Sequence, residues 1–485
     1  MSLRLGIEDA VALHRQTTTA PAHTVAVLVM ERSEELSHPR LQELLASSLP
    51  RLARFRSRLV GKPMGVGQPL WAEIDSYDPM PQIHGATVRA PGGRRELAEL
   101  VMQLSAGMQD WRRSLWQAWS IDGLAGGRWA LAVKMSPVLC DDGYGLAALW
   151  QQLITSEPIS EYLSPPEAGL GPGPSRAALV ADTLAEVIEN QVIGAWLVAE
   201  AAAGAVVALR RQLYDAADPP VAPRRPGAGR PFTGPLTRRR STALAAIPLA
   251  DVQTISDAFG GSARNVVLAA CTLALRSWLL RYDRMPDDPL VLTVPLATPD
   301  GDAAEDGCAP ATGQIMVPVH TDDPVQVLSN LHTATERLHS AHRYPERPAP
   351  LITLMALLPP WLTHAGMQAY SRFGLTRLRP SSRHGAVAFA SQRPGPMYCA
   401  GADVVAMYSV APLAEGCGLN VGIIGHGDVL DVCVTACPDN VPDVEYLCSG
   451  ITDAIDVLVR SATKSPRGEG RSVVSELNSH ASRRS

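Results

Sequence analysis

The sequence predicts an α/β fold of more than one domain. Its 485 residues are about three times the length of a typical domain, and 46% of them are hydrophobic, which is enough for a large core. Short runs rich in β-branched residues alternate with longer stretches whose apolar residues recur at helical spacing. The 43 basic and 48 acidic residues leave a formal net charge of −5. No nucleic-acid partner is expected, because the chain lacks the positive excess that coats a polyanion.

Residues 1–160 are expected to form an N-terminal α/β domain. The runs "HTVAVLVME" and "GGRWALAVKM" predict strands, because apolar and β-branched residues dominate them. The segments "RLQELLASSL" and "RRELAELVMQL" predict helices, because their apolar residues repeat near every 3.6 positions.

Residues 161–230 predict a crossover linker. The stretch "LSPPEAGLGPGPS" leads into an alanine-rich helix expected from about Ser175 to Asp215. Glu200 interrupts its apolar run, so neither part reaches the roughly 20 apolar residues that a spanning helix needs. The helix either packs on its own domain or lies on a membrane surface, with Trp196 and Leu197 in its apolar face.

Residues 231–462 predict a second α/β domain, and the polar residues 463–485 predict a disordered tail. The strands of the second domain are expected at "STALAAIPL", "PLVLTVPL", "GQIMVPVH", "AVAFAS", "DVVAMYSVAP", "GLNVGIIGHG" and "VLDVCVTACP". Its helices are expected at "RNVVLAACTLALRSWLLRY", "PVQVLSNLHTATERLHSA" and "DVEYLCSGITDAIDVLVR".

The eight cysteines predict neither disulfides nor a metal site. They are scattered and form no CxxC pair, so we expect them to be reduced and mostly buried. The spacing of Cys433 and Cys437 also occurs in metal sites, but both fall on a strand or at its end, without a nearby histidine cluster. No metal ligand is therefore assigned.

One strand end carries the residues that suggest chemistry. In "KMSPVLCDDGYGLAALWQQL" an apolar strand enters a polar turn with Asp141 and Asp142, and a helix follows. The carboxylates act either as a helix N-cap or as part of a site. The sequence has no P-loop, no GxGxxG followed by a helix and no GxSxG elbow, which excludes several common enzyme classes.

Several colinear segments resemble the bacterial wax ester synthase/diacylglycerol acyltransferase family, from Leu5 to about Arg460. "RLGIEDAVALHRQTTTAPAHTVAVLVME" is similar to the opening segment of that family. Ser114, Leu115 and Trp116 stand where the family has Pro-Leu-Trp. "GAVAFASQRPGPMYCAGADVVAMYSVAPLAEGCGLNVGIIGHGDVLDV", which includes Pro394-Gly395-Pro396, resembles a segment of its second domain.

The resemblance implies a CoA-dependent acyltransferase fold, also called chloramphenicol acetyltransferase-like. Two similar α/β domains would meet along a tunnel that acyl-CoA and the acceptor alcohol enter from opposite ends. A His-His-x-x-x-Asp-Gly motif lies at the interface in this family, and its second histidine deprotonates the acceptor hydroxyl. The resemblance implies acyl-CoA as co-substrate and no cofactor.

The chain departs from the family at its functional positions. The motif positions are occupied by Ser136, Pro137, Asp141 and Asp142. Proline cannot accept a proton, and a serine hydroxyl is a weak base. The substrate-binding positions, an Asn-Asp pair and a Gly-Asn pair in the family, correspond to Arg264, Asn265, Gly313 and Gln314.

Other residues are candidates to replace the missing base. Asp142 is close in sequence, and burial would raise the pKa of its carboxyl. Cys140 is an alternative nucleophile. His320 and His384 fall at predicted strand ends, where solvated loop histidines are expected.

Three functions follow from these residues. The first is an O-acyltransferase that moves a long acyl chain from acyl-CoA to diacylglycerol, giving triacylglycerol, or to a fatty alcohol, giving a wax ester. The second is a catalytically inactive member that binds acyl chains or a lipid-synthesis partner. The third is a transferase that acts on a carrier-bound substrate. The expected location is cytoplasmic, with peripheral contact to the inner membrane or lipid droplets as an alternative.

Overall fold

The computed structural model describes the chain in ten segments. They are residues 3–107, 115–140, 144–158, 166–171, 173–189, 231–295, 312–341, 359–373, 383–393 and 395–464. The strands are β1 (Thr24–Met30), β2 (Ser57–Val60), β3 (Leu70–Glu73), β4 (Ile83–Thr87), β5 (Trp116–Asp122), β6 (Trp129–Met135), β7 (Ser241–Pro248), β8 (Leu290–Pro295), β9 (Thr312–Val317), β10 (Gly385–Arg393), β11 (Tyr398–Cys399), β12 (Ala402–Val410), β13 (Leu419–His426) and β14 (Val429–Ala436). The α-helices are α1 (Ile7–His14), α2 (His38–Ser48), α3 (Arg94–Ser105), α4 (Pro137–Cys140), α5 (Tyr144–Leu153), α6 (176–189), α7 (Leu249–Phe259), α8 (Ala263–Arg281), α9 (Pro324–Ala341), α10 (Pro360–Arg372) and α11 (Val444–Lys464).

The first six-stranded sheet has the order β11-β12-β1-β6-β5-β4. Strand β1 is apolar on both faces and pairs antiparallel with β6 on one side and with β12 on the other. Strands β11 and β12 come from the second half of the sequence, so the first sheet is completed by residues of the predicted C-terminal domain. The domain boundaries at residues 160, 230 and 462 remain predictions.

The second six-stranded sheet has the order β7-β14-β13-β10-β8-β9, and α7, α8 and α11 cover one of its faces. Among the described residues, only α8 is long and apolar enough to cross a membrane by length and composition. However, 67% of its most apolar window is buried inside the protein, as in a core helix. The other face of the sheet turns toward the first half of the molecule. Ile424 on that face packs in the hydrophobic core that contains Leu131 and Val133 of β6, which we call the first core.

The two sheets approach each other where β12 crosses β13 and β14. A Cβ atom on Gly422 would lie 2.7 Å from the Ser409 carbonyl oxygen, so only glycine fits this close contact. Nearby, the Met407 amide in β12 donates to Asp431 Oδ2 in β14 at 2.7 Å. Helix α3 of the first half also packs against β7 of the second. These contacts hold the two halves together around a cavity.

Most elements expected from the sequence are confirmed. The predicted helix "PVQVLSNLHTATERLHSA" coincides with α9, and every strand named above for the second domain is present. The disordered tail stays a prediction: Thr463 and Lys464 belong to α11, and residues 465–485 lie outside the described residues. In the linker, α6 confirms helix over 176–189, whereas the rest of that prediction, with Trp196 and Leu197, also lies outside them.

Candidate functional site

The altered motif begins where β6 ends. Ser136 is buried, its amide donates to the Leu115 carbonyl at 2.7 Å, and its own carbonyl accepts from the Leu139 amide at 2.9 Å. Pro137 occupies the first position of α4, where a helix has no need of the missing N–H. Leu115 belongs to the Ser-Leu-Trp segment that carried part of the family resemblance, so two resembling segments are adjacent in space.

The four-residue helix α4 is fixed by its surroundings. Val138 and Leu139 are buried in the first core, and Arg54 Nη1 donates to the Val138 carbonyl at 3.2 Å. Helix α1 packs against α4. The strand-to-helix turn is thus retained, although Pro137 offers no proton acceptor. Asp141 and Asp142 lie outside the described residues, as does the side chain of Cys140.

Ser136 lies on the face of the first sheet that looks toward the second. Along β1 and β6, alternate residues pack into two different cores. Val25 is paired with Lys134, and Thr24 with Met135. By this alternation, Ser136 continues the row of Lys134 on β6.

A cavity of about 420 Å³ opens on this face, between the two halves. We call it the interdomain cavity. Its walls are largely apolar and come from β1, α3, β12 and the segments around β7 and β14, while His23, Arg238 and Arg240 supply polar groups. An apolar cavity with a few converging polar groups is the usual form of a small-molecule site. Its main apolar lining residues are Pro21, Val25, Met102, Val410, Pro412 and Leu413.

His23 is the buried histidine of this cavity and was missed by sequence reasoning. Its ring Nε2 lies 2.6 Å from the Ser105 carbonyl oxygen, so Nε2 carries the hydrogen and donates it. Its Nδ1 is buried and has no hydrogen-bond partner among the described residues. Burial, with the charges of Lys134 and Arg240, lowers the pKa of His23 to about 4. The ring is therefore neutral at pH 7, with the Nδ1 lone pair unused.

A second cavity, of about 640 Å³, brings together part of the predicted substrate-binding set. We call it the α8 cavity, because it surrounds the start of that helix. Arg264 and Asn265 line it; the Asn265 amide nitrogen lies 3.1 Å from His332 Nδ1, and the Arg264 guanidinium lies 5.8 Å from the centre of the Phe389 ring. Burial lowers the pKa of Arg264, which reflects a guanidinium partly withdrawn from water.

The other predicted pair, Gly313 and Gln314, lies on edge strand β9, where consecutive residues face opposite sides of the sheet. Gly313 is buried and paired with Val294, which lines the α8 cavity. Gln314 is exposed and therefore lies on the opposite face of the strand. Gly313 thus lies beside a lining residue of the α8 cavity, whereas the Gln314 side chain points away from that face.

The two histidines predicted at strand ends, His320 and His384, differ in their exposure. His320 lies exposed in a turn after β9, as expected. His384 was expected to be solvated, and this was wrong: it is only 2% exposed, and its Nδ1 accepts from the Val291 amide at 3.0 Å. The ring caps the start of the β8–β10 pair, which explains its burial.

The described cysteines are free and buried, as predicted. Burial raises the pKa of the Cys433 thiol to about 12, so this thiol is not a nucleophile at neutral pH. Within the described segments, no group of three His, Cys, Asp or Glu side chains could hold a metal ion.

Comparisons with known proteins agree over nearly the whole chain. The model of the wax ester synthase/diacylglycerol acyltransferase catalytic domain matches residues 5–267, and that of the WS/DGAT C-terminal domain matches residues 311–458. A Mycobacterium tuberculosis protein named "Putative diacyglycerol O-acyltransferase Rv1760" is 28% identical, over 96% of this chain and 92% of its own length. A second protein of that organism, "Putative diacyglycerol O-acyltransferase Rv3087", is 27% identical, over 95% of this chain and 97% of its own length.

Solved structures share the fold. The wax ester synthase/diacylglycerol acyltransferase from Marinobacter aquaeolei VT8 superposes with a TM-score of 0.67 at 18% identity, covering 95% of this chain and all of that one. The first condensation domain of the CDA synthetase follows with a TM-score of 0.52 at 14% identity, covering 96% of this chain and 97% of that one. The predicted two-domain acyltransferase architecture is therefore confirmed.

Proposed function

Because the chain belongs to the wax ester synthase/diacylglycerol acyltransferase family, we propose that it transfers a long acyl chain from acyl-CoA to a lipid alcohol. Diacylglycerol is the preferred acceptor, since two curated relatives of similar sequence are named for that activity. The observation that carries the proposal is the interdomain cavity, with its apolar walls, its neutral His23 and its contact with β6 through Lys134, which donates to the carbonyl of the lining residue Gly107. Such walls accommodate an acyl chain and exclude water from the ester-forming step.

The reaction needs only groups that a protein can supply. The acceptor hydroxyl loses its proton as its oxygen attacks the thioester carbonyl carbon, the carbon–sulfur bond breaks, and CoA leaves as a thiol after taking up a proton. No redox step occurs, so we expect no cofactor and no metal. The barrier is lowered by holding the two substrates together and by a proton acceptor near the hydroxyl.

The α8 cavity suits the anionic part of acyl-CoA. Gly260 and Gly261, with φ of 77° and 93°, form the turn between α7 and α8, so the amide-rich start of α8 faces the cavity. Arg264 adds a guanidinium at the same place. A helix N-terminus together with an arginine is a favourable environment for phosphate groups, which CoA carries.

Contact with a lipid surface is supported by helix α6, which has its charged side inward. Asp182 lies 2.8 Å from Arg4 Nη2 and 2.5 Å from Lys62 Nζ, and Glu186 is also paired with the fully buried Lys62. The opposite face of α6 is exposed and apolar, and its apolar residues recur at helical spacing. Its members are Val180 (49% exposed), Leu184 (60%), Val187 (38%) and Ile188 (66%).

An exposed apolar stripe on a helix held by ion pairs fits a membrane interface. The protein would then be cytoplasmic and peripherally bound to a lipid surface. Flotation with liposomes tests this: Leu184→Glu with Ile188→Glu should abolish flotation, whereas Met316→Glu, which changes an equally exposed residue elsewhere, should not. Equal flotation of both variants would contradict the contact.

The activity itself is tested with purified protein, labelled long-chain acyl-CoA and either diacylglycerol or a fatty alcohol. We expect labelled triacylglycerol, with free CoA released in equal amount, and less product with the fatty alcohol. Saturable binding of acyl-CoA without any ester would instead support a non-catalytic member of the family, as the loss of the motif histidines suggests.

A further inference from the structure

The proposed reaction needs a proton acceptor, and the described part of the motif has none. Four described histidines are less than 10% exposed: His14, His23, His384 and His426. His384 accepts a backbone amide hydrogen, and His426 Nδ1 lies 2.9 Å from Asp431 Oδ2. His14 lines a separate cavity near Lys62 and Trp361. Of the four, only His23 lines the interdomain cavity.

The strand register places His23 next to the altered motif. Thr24 in β1 and Met135 in β6 are the last paired residues at this end of the two strands. His23 comes one residue before Thr24, and Ser136 comes one residue after Met135. In an antiparallel pair these residues occupy the next opposed position, on one face of the sheet. Extending the register by one residue beyond the last observed pair sets His23 opposite Ser136, the position that the family resemblance assigns to its first histidine.

The imidazole is oriented for proton transfer. The Ser105 carbonyl at the end of α3 accepts the Nε2 hydrogen, which fixes both the tautomer and the ring plane. Nδ1 is then the basic nitrogen, and among the described residues nothing occupies it. A buried lone pair without a partner costs free energy unless a ligand supplies the missing donor. An acceptor hydroxyl in the cavity would be such a donor.

Two cations lie near the same ring. Lys134 is buried beside the cavity, and its ammonium donates to the Gly107 carbonyl at 3.2 Å. Arg240 lines the cavity, with its guanidinium bound to the Thr19 and Thr237 carbonyls. The positive charge of both favours the negative charge that develops on the thioester oxygen during attack.

We propose that His23 is the catalytic base of this protein and replaces the histidine whose position Pro137 occupies. Its Nδ1 takes the proton of the acceptor hydroxyl while the oxygen bonds to the thioester carbonyl carbon. The carbon–sulfur bond then breaks, and the imidazolium returns the proton to the departing CoA sulfur, which restores neutral His23. This assignment rests on the proposed acyl transfer.

The test compares two buried histidines. His23→Gln should lower kcat for acyl transfer about 100-fold or more, because general base catalysis contributes roughly 10²- to 10⁴-fold. The Kd for acyl-CoA should stay within twofold of wild type. His14→Gln is the matched control, since His14 is equally buried, also has an unpartnered ring nitrogen and lies outside the interdomain cavity. It should keep kcat.

A second variant distinguishes the loss of the base from a folding defect. His23→Ala leaves space for a free imidazole, and added imidazole should restore part of the lost turnover without changing the thermal unfolding midpoint. If wild type turns over and His23→Gln keeps kcat within threefold, the assignment of His23 is wrong and the proposed function stands. If wild type binds acyl-CoA but gives no ester, both the function and the assignment fail.

Discussion

The end of β6 and the start of α8 have diverged from their family in different ways. At β6, Leu115 and Arg54 hold a strand-to-helix turn, and Pro137 stands at the position that the family resemblance assigns to the catalytic histidine. At α8, Arg264 and Asn265 stand at positions that the family resemblance assigns to substrate binding, and they line a cavity. The first region therefore offers a fixed turn without a proton acceptor among its described residues, whereas the second offers a guanidinium and an amide beside a cavity.

The comparison separates binding from catalysis. An arginine at the start of α8 can hold an anionic substrate, so that region retains a binding role. A proline at the motif cannot accept a proton, so catalysis requires a group elsewhere. Changes at the end of β6 should therefore act mainly on kcat, and changes at α8 mainly on substrate affinity.

Restoring the motif is expected to have the largest effect. In the His23→Gln background, Ser136→His with Pro137→His adds an imidazole at the family position and should raise kcat about 100-fold, the lower end of what a general base contributes. Asp142 stands where the family has glycine, so Asp142→Gly is expected to be needed as a third change. The Kd for acyl-CoA, measured by titration, should not move. A fully active parent that loses activity on these substitutions would contradict this account of β6.

Loss of stability at acid pH should arise from two buried histidines of the first half, His14 and His23. Burial is the main cause that lowers the pKa of both His14 and His23 to about 4, below the ordinary value of 6.5. Protonation then favours the unfolded chain, so their contribution is complete above pH 6.5 and is lost as pH falls toward 4. Between those values, wild type should lose about 3 kcal/mol more unfolding free energy per histidine than His14→Gln with His23→Gln. Denaturant titrations at several pH values give the difference, and parallel curves would show that these rings are not buried neutral.

Removing the α8 guanidinium should weaken binding. Arg264→Met is expected to raise the Kd for acyl-CoA about tenfold, since a hydrogen bond to a charged group contributes roughly 1.5–3 kcal/mol. Saturating acyl-CoA should restore kcat to within twofold of wild type. Arg264→Lys is the control that keeps the charge, and its Kd for acyl-CoA should lie between those of wild type and Arg264→Met. A variant with unchanged Kd and reduced kcat would reverse the roles assigned to the two regions.

The smallest effect is expected from the C-terminal end. Deleting residues 465–485 should leave the thermal unfolding midpoint within error of wild type, because that sequence offers few apolar residues to bury. Since α11 ends at Lys464, the cut does not enter the helix. A loss of several degrees would show that these residues dock on the body of the protein.

Local sequence pattern was sufficient for the elements but not for their pairing. Helix α9 was predicted at its observed bounds because apolar periodicity and the leading proline are local signals. The pairing of β12 with β1 joins residues nearly 400 positions apart, and no local pattern specifies it.

At the candidate site, too, local sequence pattern does not predict which distant residues come together. Family register located Ser136, Pro137, Arg264 and Asn265, but His23 carries no motif, and only the strand register brings it beside Ser136. The alternation of "AHTVAVLVME" places His23 in one row with Val25, which was the available signal. His384 was misjudged because its burial depends on a contact with Val291, a residue 93 positions away.

The central claim is that this chain still catalyses acyl transfer although Pro137 has replaced the motif histidine. It is tested most directly in a single turnover, with purified wild-type protein in excess over labelled long-chain acyl-CoA and with diacylglycerol in vesicles. The account predicts labelled triacylglycerol and a matching release of CoA thiol in one exponential phase. Complete binding of the labelled acyl-CoA, with neither ester nor free thiol formed, would contradict it.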